Sequence, residues 1–536
     1  MKAMAWGAVL LAVGAMTGCG SEVREEPARE EAGRADLGRQ QAAKSMPAPP
    51  PPAAPALQEM AAPPMPASIT VTGSRVMADE AGSSVHHAEF RSNAWQASRE
   101  QPVSTFSIDV DTGSYTLARR MLREGRIPPR EAVRTEEFLN YFEHGYTPPS
   151  RLDPPFSITT ELAPAPWNAG RTLLQVGLKG YEVDQRDLPP ANLVFLIDTS
   201  GSMQAPDKLP LLKQGFRTLV QQLRPQDRVA IVTYAGSAGL VLPSTPGDDR
   251  HTILAALDQL EAGGSTHGSA GIELAYRVAA QSLAQGGINR VILATDGDFN
   301  VGTTSVEALK AMVAERREGG IALTTLGFGG HGYNDEIAEQ LADVGDGHHA
   351  YIDDALEARR VLVSEMGGTL LTIAKDVKVQ VEFNGQAVER YRLVGYENRL
   401  LAREEFHDDR VDAGEIGAGH DVTALYELEL REGVAPGATL ASLRLRYKKP
   451  DEKHSRLIER GIERRELKAA PGPRLAFAAA VAGFAEKLRG NADLADYGHA
   501  DLLRLLDQSD LAKHGEDGRE LRDLIELSGG ASVSID

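Results

Sequence analysis

The chain has 536 residues and carries 57 lysines and arginines against 76 aspartates and glutamates, a formal net charge of 57 − 76 = −19. At about 150 residues per domain, this length predicts three or four domains. Hydrophobic residues make up 42% and charged residues 25% of the chain, which excludes a wholly disordered chain and a multi-span membrane protein. The acidic charge argues against nucleic acid as a partner. A single cysteine excludes an intramolecular disulfide and cysteine-bound zinc or iron–sulfur sites.

The N-terminus is typical of an exported protein. A lysine precedes an apolar run over 3–16, which is too short to span a bilayer and indicates a secretory signal. The sequence Thr-Gly-Cys19 at its end resembles the bacterial lipobox, in which the cysteine is lipidated and becomes the mature N-terminus. The resemblance implies a signal peptide over 1–19 and a membrane anchor at Cys19. Gly20 after the cysteine implies the outer membrane of the cell envelope, facing the periplasm.

The segment 20–97 is predicted to be a disordered tether. It is polar and charged at first and then proline-rich, and it offers few apolar side chains to bury. An alternating stretch over 69–75 inside it has the pattern of a short strand.

The segment 98–187 is predicted to be an α+β region with its own apolar faces. The predicted elements are strands over 106–110, 156–162 and 173–178, and helices over 114–124 and 132–142.

Strands and helices alternate from 188 to 371, which predicts an α/β domain with a doubly wound, mostly parallel sheet. The strand over 193–197 is a continuous apolar run, as expected for a strand buried on both faces. The other predicted strands are 228–234, 239–242, 291–295, 321–326 and a short one near 351, and the helices are 209–223, 250–260, 269–284, 304–317, 334–342 and 354–371.

The remaining segment, 372–536, is predicted to be β-rich and then helical. Its strands alternate apolar and polar residues, which is typical of half-exposed antiparallel sheet. The clearest elements are strands over 377–383, 423–430 and 442–447 and helices over 475–488 and 501–506.

Oxygen-bearing side chains follow two of the buried strands in the central domain. Asp198, Ser200 and Ser202 come directly after one strand, Thr266 lies in a glycine-rich loop, and Asp296 follows another strand. The carboxyl ends of parallel strands share one edge of the sheet, so these five side chains can converge there. Hydroxyl and carboxylate oxygens suit Mg²⁺ or a similar hard cation, and two carboxylates balance its charge. Such an ion remains able to capture one more anionic ligand.

These five residues resemble the metal-ion-dependent adhesion site of von Willebrand factor type A (VWA) domains. The resemblance implies that the hydroxyls of Ser200, Ser202 and Thr266 contact Mg²⁺ (or Mn²⁺ or Ca²⁺), while Asp198 and Asp296 act largely through water. It further implies a binding or assembly module rather than an enzyme, whose cation bridges to a carboxylate of a protein partner.

Four further stretches, 104–115, 161–168, 395–403 and 412–420, resemble the bacterial YfbK-like family of VWA proteins. They lie on both sides of the central domain, so we expect the two flanking regions to fold onto one another.

Two other functions remain open from the residues alone. A metal-assisted hydrolase would need a general base beside the cation, and Asp298 is the nearby surplus carboxylate. Alternatively, the cation only stabilises the fold of a structural envelope protein.

Three other motifs are interpreted as structural. The glycines over 327–332 fit a dinucleotide fingerprint but follow a late strand, where they favour a tight turn. Asp111 precedes Thr-Gly-Ser114, as in aspartic proteases, but those enzymes are largely β, whereas the second such motif, at Asp198, opens an α/β unit. A turn or helix N-cap with Ser114 is therefore the preferred interpretation of Asp111. His348 and His349 are adjacent, so on a strand they point to opposite faces and chelate poorly.

Overall fold

The computed structural model of the chain describes residues 92–264, 268–297, 305–329, 336–365, 368, 370–509 and 515–530. The signal peptide with Cys19, most of the predicted tether with its strand-like stretch, and the side chains of Thr266 and Asp298 lie outside the described residues. Within the described ranges, no helix is long and apolar enough to cross a bilayer.

The helices and strands follow one another in three groups along the chain. The N-terminal group comprises β1 (Gln96–Ala97), β2 (Val103–Ser107), α1 (Gly113–Arg123), α2 (Thr135–Tyr141), β3 (Phe156–Ala165) and β4 (Asn168–Gly180). The central group comprises β5 (Ala191–Asp198), α3 (Leu209–Val220), β6 (Arg228–Tyr234), β7 (Ala238–Pro246), α4 (Arg250–Asp258), α5 (Gly268–Gln281), β8 (Ile288–Thr295), α6 (Val306–Glu318), β9 (Ala322–Phe328), α7 (Glu336–Val344), β10 (His349–Ile352) and α8 (Ala355–Arg359). The C-terminal group comprises β11 (Thr372–Phe383), β12 (Val388–Val394), β13 (Ile416–Gly417), β14 (Asp421–Leu430), β15 (Thr439–Lys448), β16 (Arg456–Glu463), α9 (Pro473–Leu488), α10 (His499–Asp507) and α11 (Gly515–Gly530).

The central group forms a six-stranded sheet in the order β10-β9-β8-β5-β6-β7. Neighbouring strands are parallel except for β6 and β7, which are antiparallel. Every residue of β5 is buried, because helices cover both faces of the sheet. Phe195 packs with α3 and α4 on one face, and its neighbours Val194 and Leu196 pack with α5, α6 and α7 on the other. The predicted α/β fold with a doubly wound, mostly parallel sheet is confirmed.

The flanking groups share two further sheets. One has the order β1-β12-β14-β4-β3, and the other has the order β13-β11-β15-β16 with β2 added beside β11. In the first, Tyr426 of β14 pairs with Leu174 of β4. In the second, Val379 of β11 pairs with Phe106 of β2. Strands from both sides of the central group therefore bury one core, as expected from the family-like stretches.

A helical layer completes the flanking region. Helices α1 and α2 from the N-terminal group pack with α9, α10 and α11 from the C-terminal group around one apolar cluster. Tyr115 of α1 stacks on Tyr141 of α2 with 4.0 Å between ring centroids. The flanks are therefore tied together through a helical core as well as through their sheets.

The segment around Asp111 differs from its predicted role. Strand β2 ends at Ser107 rather than at Val110, and the N-cap of α1 is Thr112, which makes no side-chain capping bond. Asp111 Oδ1 instead accepts a hydrogen bond from the backbone N–H of His349 at 2.8 Å. The N-cap interpretation of Asp111 is therefore wrong, because the carboxylate is used to hold β10.

Candidate functional site

The loop after β5 gathers three of the predicted oxygen ligands. Asp198 is the last residue of β5, and Ser202 lies in the 3-10 turn Gly201–Gln204. The backbone N–H of Ser200 donates to Asp198 Oδ1 at 2.7 Å, which folds the loop back over the carboxylate. The hydroxyl oxygens of Ser200 and Ser202 then lie 2.9 Å apart. Two hydroxyls and a carboxylate thus lie together at the carboxyl end of a buried strand.

A second loop is tied to the first by backbone hydrogen bonds. The N–H of Gly201 donates to the carbonyl of Gly264 at 3.1 Å, and the N–H of Gly263 donates to the carbonyl of Thr199 at 2.8 Å. Gly264 has a φ of 87°, a left-handed conformation that favours glycine. This is the loop that leads to Thr266, whose own position lies outside the described residues.

Asp296 reaches the same edge of the sheet from the neighbouring strand. It follows β8, which runs parallel to β5 with Ala294 opposite Ile197. Its side chain is only 2% exposed, and its Oδ2 accepts a hydrogen bond from Lys208 Nζ at 2.8 Å. Lys208 was not among the residues predicted from the sequence. No motif marks it, since it lies six residues beyond Ser202 at the start of α3.

The electrostatics of Asp198 fit a cation ligand. Burial raises the pKa of Asp198 to about 6, the Ser200 N–H lowers it, and the nearby Asp296 raises it. The carboxylate is buried, and hydrogen bonds from the side chains of Ser200 and Tyr234 also lower its pKa. A buried carboxylate is unfavourable unless hydrogen bonds or a cation compensate its charge. The donor set of two hydroxyls and two buried carboxylates therefore fits a hard divalent cation.

A separate acidic group could also hold a metal ion. Asp346, Asp412 and Glu415 each place a carboxylate oxygen within 4.8 Å of the others. Lys375 Nζ already pairs with Asp346 at 2.6 Å, and Arg317 pairs with both aspartates. Burial and the neighbouring carboxylates raise the pKa of Glu415 well above its usual range. Sequence reasoning missed this group, because its members come from segments that are distant in the chain.

Comparison with protein families gives three matches along the chain. Residues 192–364 match the von Willebrand factor type A domain, and residues 368–529 match the family described as "Uncharacterized protein YfbK, C-terminal". Residues 82–175 match a family described as von Willebrand factor. VWA domains are generally protein-interaction modules without enzymatic activity, and they typically bind a divalent metal.

Individual relatives agree with these matches. The uncharacterized protein YfbK of Escherichia coli is 45% identical over 428 residues, which cover 76% of this chain and 74% of that protein. Human inter-alpha-trypsin inhibitor heavy chain H4 is 27% identical over 212 residues, covering 37% of this chain and 22% of that protein.

Among solved structures, "von Willebrand factor type A from Catenulispora acidiphila" is 18% identical and has a TM-score of 0.40, covering 73% of this chain and 89% of that one. That likeness is too slight to carry an argument about function. The extent and identity of the match to the Escherichia coli protein are sufficient by themselves: this chain belongs to the YfbK family, with a VWA domain followed by a YfbK C-terminal domain.

Proposed function

We propose that the VWA domain of this protein contains a metal-ion-dependent adhesion site and that this site binds an acidic residue of a protein partner. The hydroxyls of Ser200, Ser202 and Thr266 bind Mg²⁺ (or Mn²⁺ or Ca²⁺), and Asp198 and Asp296 supply charge and orient water. The observation that carries the proposal is the meeting of two hydroxyls 2.9 Å apart with the buried carboxylate of Asp198 at the carboxyl end of β5.

The donor set explains why the bound ion would take a further ligand. A hard cation prefers about six oxygens, and the five protein groups do not all need to contact it directly. The ion lies at the edge of the sheet, where a coordination position can remain open to the outside. A carboxylate from another protein is a suitable ligand for that position, because it brings both oxygen and negative charge.

A cavity beside the site offers room for the rest of the partner. It has a volume of about 510 Å³. Met203 and Gln204, which directly follow Ser202, form one wall, and Leu260 and Ala262 form another. Lys213, Arg217 and Glu261 also line the cavity, so a segment of a partner that places its carboxylate on the ion can make both apolar and charged contacts here.

We further propose that the protein is held in the cell envelope by a lipid on Cys19. The end of the predicted tether, residues 92–97, belongs to the folded part, because Gln96 and Ala97 pair with β12. The remaining tether, 20–91, would then separate the folded part from the outer membrane and let the VWA domain reach partners in the periplasm. The support for this proposal is the apolar run followed by Thr-Gly-Cys19 at the N-terminus.

The test is affinity capture from detergent-solubilised membranes with the full chain as bait, in Mg²⁺ or in chelator. Ser200→Ala removes one proposed ligand, and Ser442→Ala, on strand β15 of the C-terminal group, is the matched control. We expect a partner that binds wild type and Ser442→Ala in Mg²⁺ but is lost with chelator or Ser200→Ala. A set of partners that ignores both the chelator and Ser200→Ala would refute metal-bridged adhesion.

Thermal unfolding of the same variants separates adhesion from a cation that only stabilises the fold. Adhesion predicts that Ser200→Ala loses the partner while its melting temperature in chelator stays near that of wild type. A purely structural cation predicts no partner and a large fall in melting temperature in Mg²⁺.

A further inference from the structure

Lys208 places a positive charge inside the proposed metal site. Its ammonium donates to Asp296 Oδ2 at 2.8 Å, and the lysine side chain is 12% exposed. An ammonium that is mostly buried against a buried carboxylate is held by a substantial electrostatic attraction. The Lys208 ammonium therefore repels any divalent ion that approaches Asp296.

Gly329 provides the space that the side chain of Lys208 occupies. Gly329, at the end of β9, has a φ of 83°, and a Cβ atom there would lie 2.2 Å from Lys208 Cε. Both the conformation and the space therefore require glycine at this position. The aliphatic stem of Lys208 passes over Gly329 on its way to Asp296.

The N-terminal flanking region braces both neighbours of this lysine. Arg120 on α1 donates to Asp207 Oδ2 at 2.7 Å and to the hydroxyl of Tyr351 at 3.3 Å. The Tyr351 hydroxyl in turn donates to the carbonyl of Gly329 at 2.7 Å. Asp207 is thus held directly from outside the VWA domain, and Gly329 is held by Tyr351 of the domain's own β10, which Arg120 also contacts. The position of Lys208 between them is therefore built into the fold.

We infer that Lys208 is a resident cation of the site that lowers its affinity for the divalent ion and makes the loaded site positively charged. This inference rests on the proposed function. Two carboxylates and a divalent ion are together neutral, whereas the added ammonium leaves a net charge of one positive unit. That surplus charge favours an anionic ligand on the open position of the ion, and so selects for an acidic partner.

Metal binding by the full chain tests the inference directly. Lys208→Met keeps an aliphatic stem over Gly329 and removes the charge, and Lys208→Gln is a second neutral variant. Lys453→Met is the matched control, because Lys453 is exposed between β15 and β16. Titration calorimetry with Mg²⁺ and with Mn²⁺ at constant pH measures the dissociation constant of each protein.

We expect the two neutral variants to bind either ion at least tenfold more tightly than wild type, because even at the dielectric constant of water the repulsion between a unit charge and a divalent ion about 6 Å apart corresponds to that factor. Lys453→Met should bind as wild type does. Equal or weaker binding by both neutral variants, with wild type still binding, would overturn the role of Lys208 and leave the adhesion site standing. Absence of metal binding by every protein would overturn the proposed function and this inference together.

Thermal unfolding guards against a variant that is merely misfolded. In chelator, Lys208→Met should unfold cooperatively but at a lower temperature than wild type, because Asp296 has lost its ammonium partner. Saturating Mg²⁺ should then raise the melting temperature of Lys208→Met by more than it raises that of wild type. An equal rise in the two proteins would contradict competition between the lysine and the ion.

Discussion

Two histidines between the VWA domain and the C-terminal region should make the stability of the protein depend on pH. His348 precedes β10 and His420 precedes β14, and their ring centroids lie 5.2 Å apart. The Nε2 atom of His348 and the Nδ1 atom of His420 are buried and find no hydrogen-bond partner within the part of the chain that the structure describes. Burial lowers the pKa of both rings, and each is further lowered by Arg290.

The charged groups around the pair do not reverse this effect. Glu365 and Asp421 act to raise the pKa of His420, while Lys179 acts to lower it, and the net shift is downward. At Gly368 the backbone passes so close to His420 that a Cβ atom would lie 2.2 Å from the ring. The pair therefore has little room to move apart when one ring gains a proton.

The sign and size of the effect follow from linkage. A histidine whose pKa is lower in the folded protein takes up its proton mainly after unfolding, so stability is lost as the pH falls through the ordinary value of 6.5. At about pH 5.5 a histidine that stays neutral when folded costs about 1.4 kcal/mol, and two such histidines cost about 3 kcal/mol. Buried carboxyl groups have the opposite effect and add stability as the pH falls, because they bind a proton more readily in the folded protein. The pKa values of Glu136 and Glu339, for example, are raised to about 8.

The assay therefore compares variants rather than wild type alone. The free energy of unfolding in urea is measured from about pH 7.5 to about pH 5.5 for wild type and for the double variant His348→Gln, His420→Gln. Wild type should lose more stability than the double variant over this range, up to about 3 kcal/mol if both rings stay neutral in the folded protein. His454→Gln, at an exposed histidine, should change nothing. Parallel pH profiles for wild type and the double variant would refute the reasoning.

Three further outcomes are expected from single substitutions. Glu415→Gln should raise the free energy of unfolding in urea by about 1 to 3 kcal/mol near neutral pH, because burial beside other carboxylates makes the charged form unfavourable. If Ca²⁺ instead stabilises wild type and no longer stabilises Glu415→Gln, the acidic group binds metal. Gly177→Ala should lower stability by about 1 to 3 kcal/mol, since its Cβ would lie 2.1 Å from the Tyr146 ring; an unchanged melting temperature would contradict this packing. Asp198→Asn should abolish the rise in melting temperature caused by Mg²⁺ while leaving the protein folded in chelator, and a retained rise would exclude Asp198 from the site.

The central sheet was predictable because its physical signal is local. A strand covered by helices on both faces is largely apolar, and residues 193–197 of β5 are all apolar and buried. The edge strand β16 was missed because it alternates exposed and half-buried residues for most of its length. Its charged side chains are stabilised by partners on other strands, such as the pairing of Arg444 with Glu459 at 2.7 Å. A single segment of sequence contains no signal for such a partner.

The same distinction applies to the candidate metal site. Asp198, Ser200 and Ser202 lie within five consecutive positions of the sequence, so the sequence alone predicts that they form part of one site. The position of Lys208 depends on the room left by Gly329, more than a hundred residues away in the chain. Its charge could not be assigned to the site until the fold had brought the two segments together.

The flanking regions explain why these contacts are not confined to the VWA domain. Arg399, from the C-terminal region, contacts Asp109 at 3.2 Å and Asp111 at 3.3 Å, and Asp111 in turn holds the backbone of β10. β10 carries Tyr351, which supports the carbonyl of Gly329 beside Lys208. A chain of direct contacts thus runs from the C-terminal region through the N-terminal region to the wall of the candidate metal site. Because the flanks form their own sheets and helical core from both ends of the chain, they can hold that wall in one position.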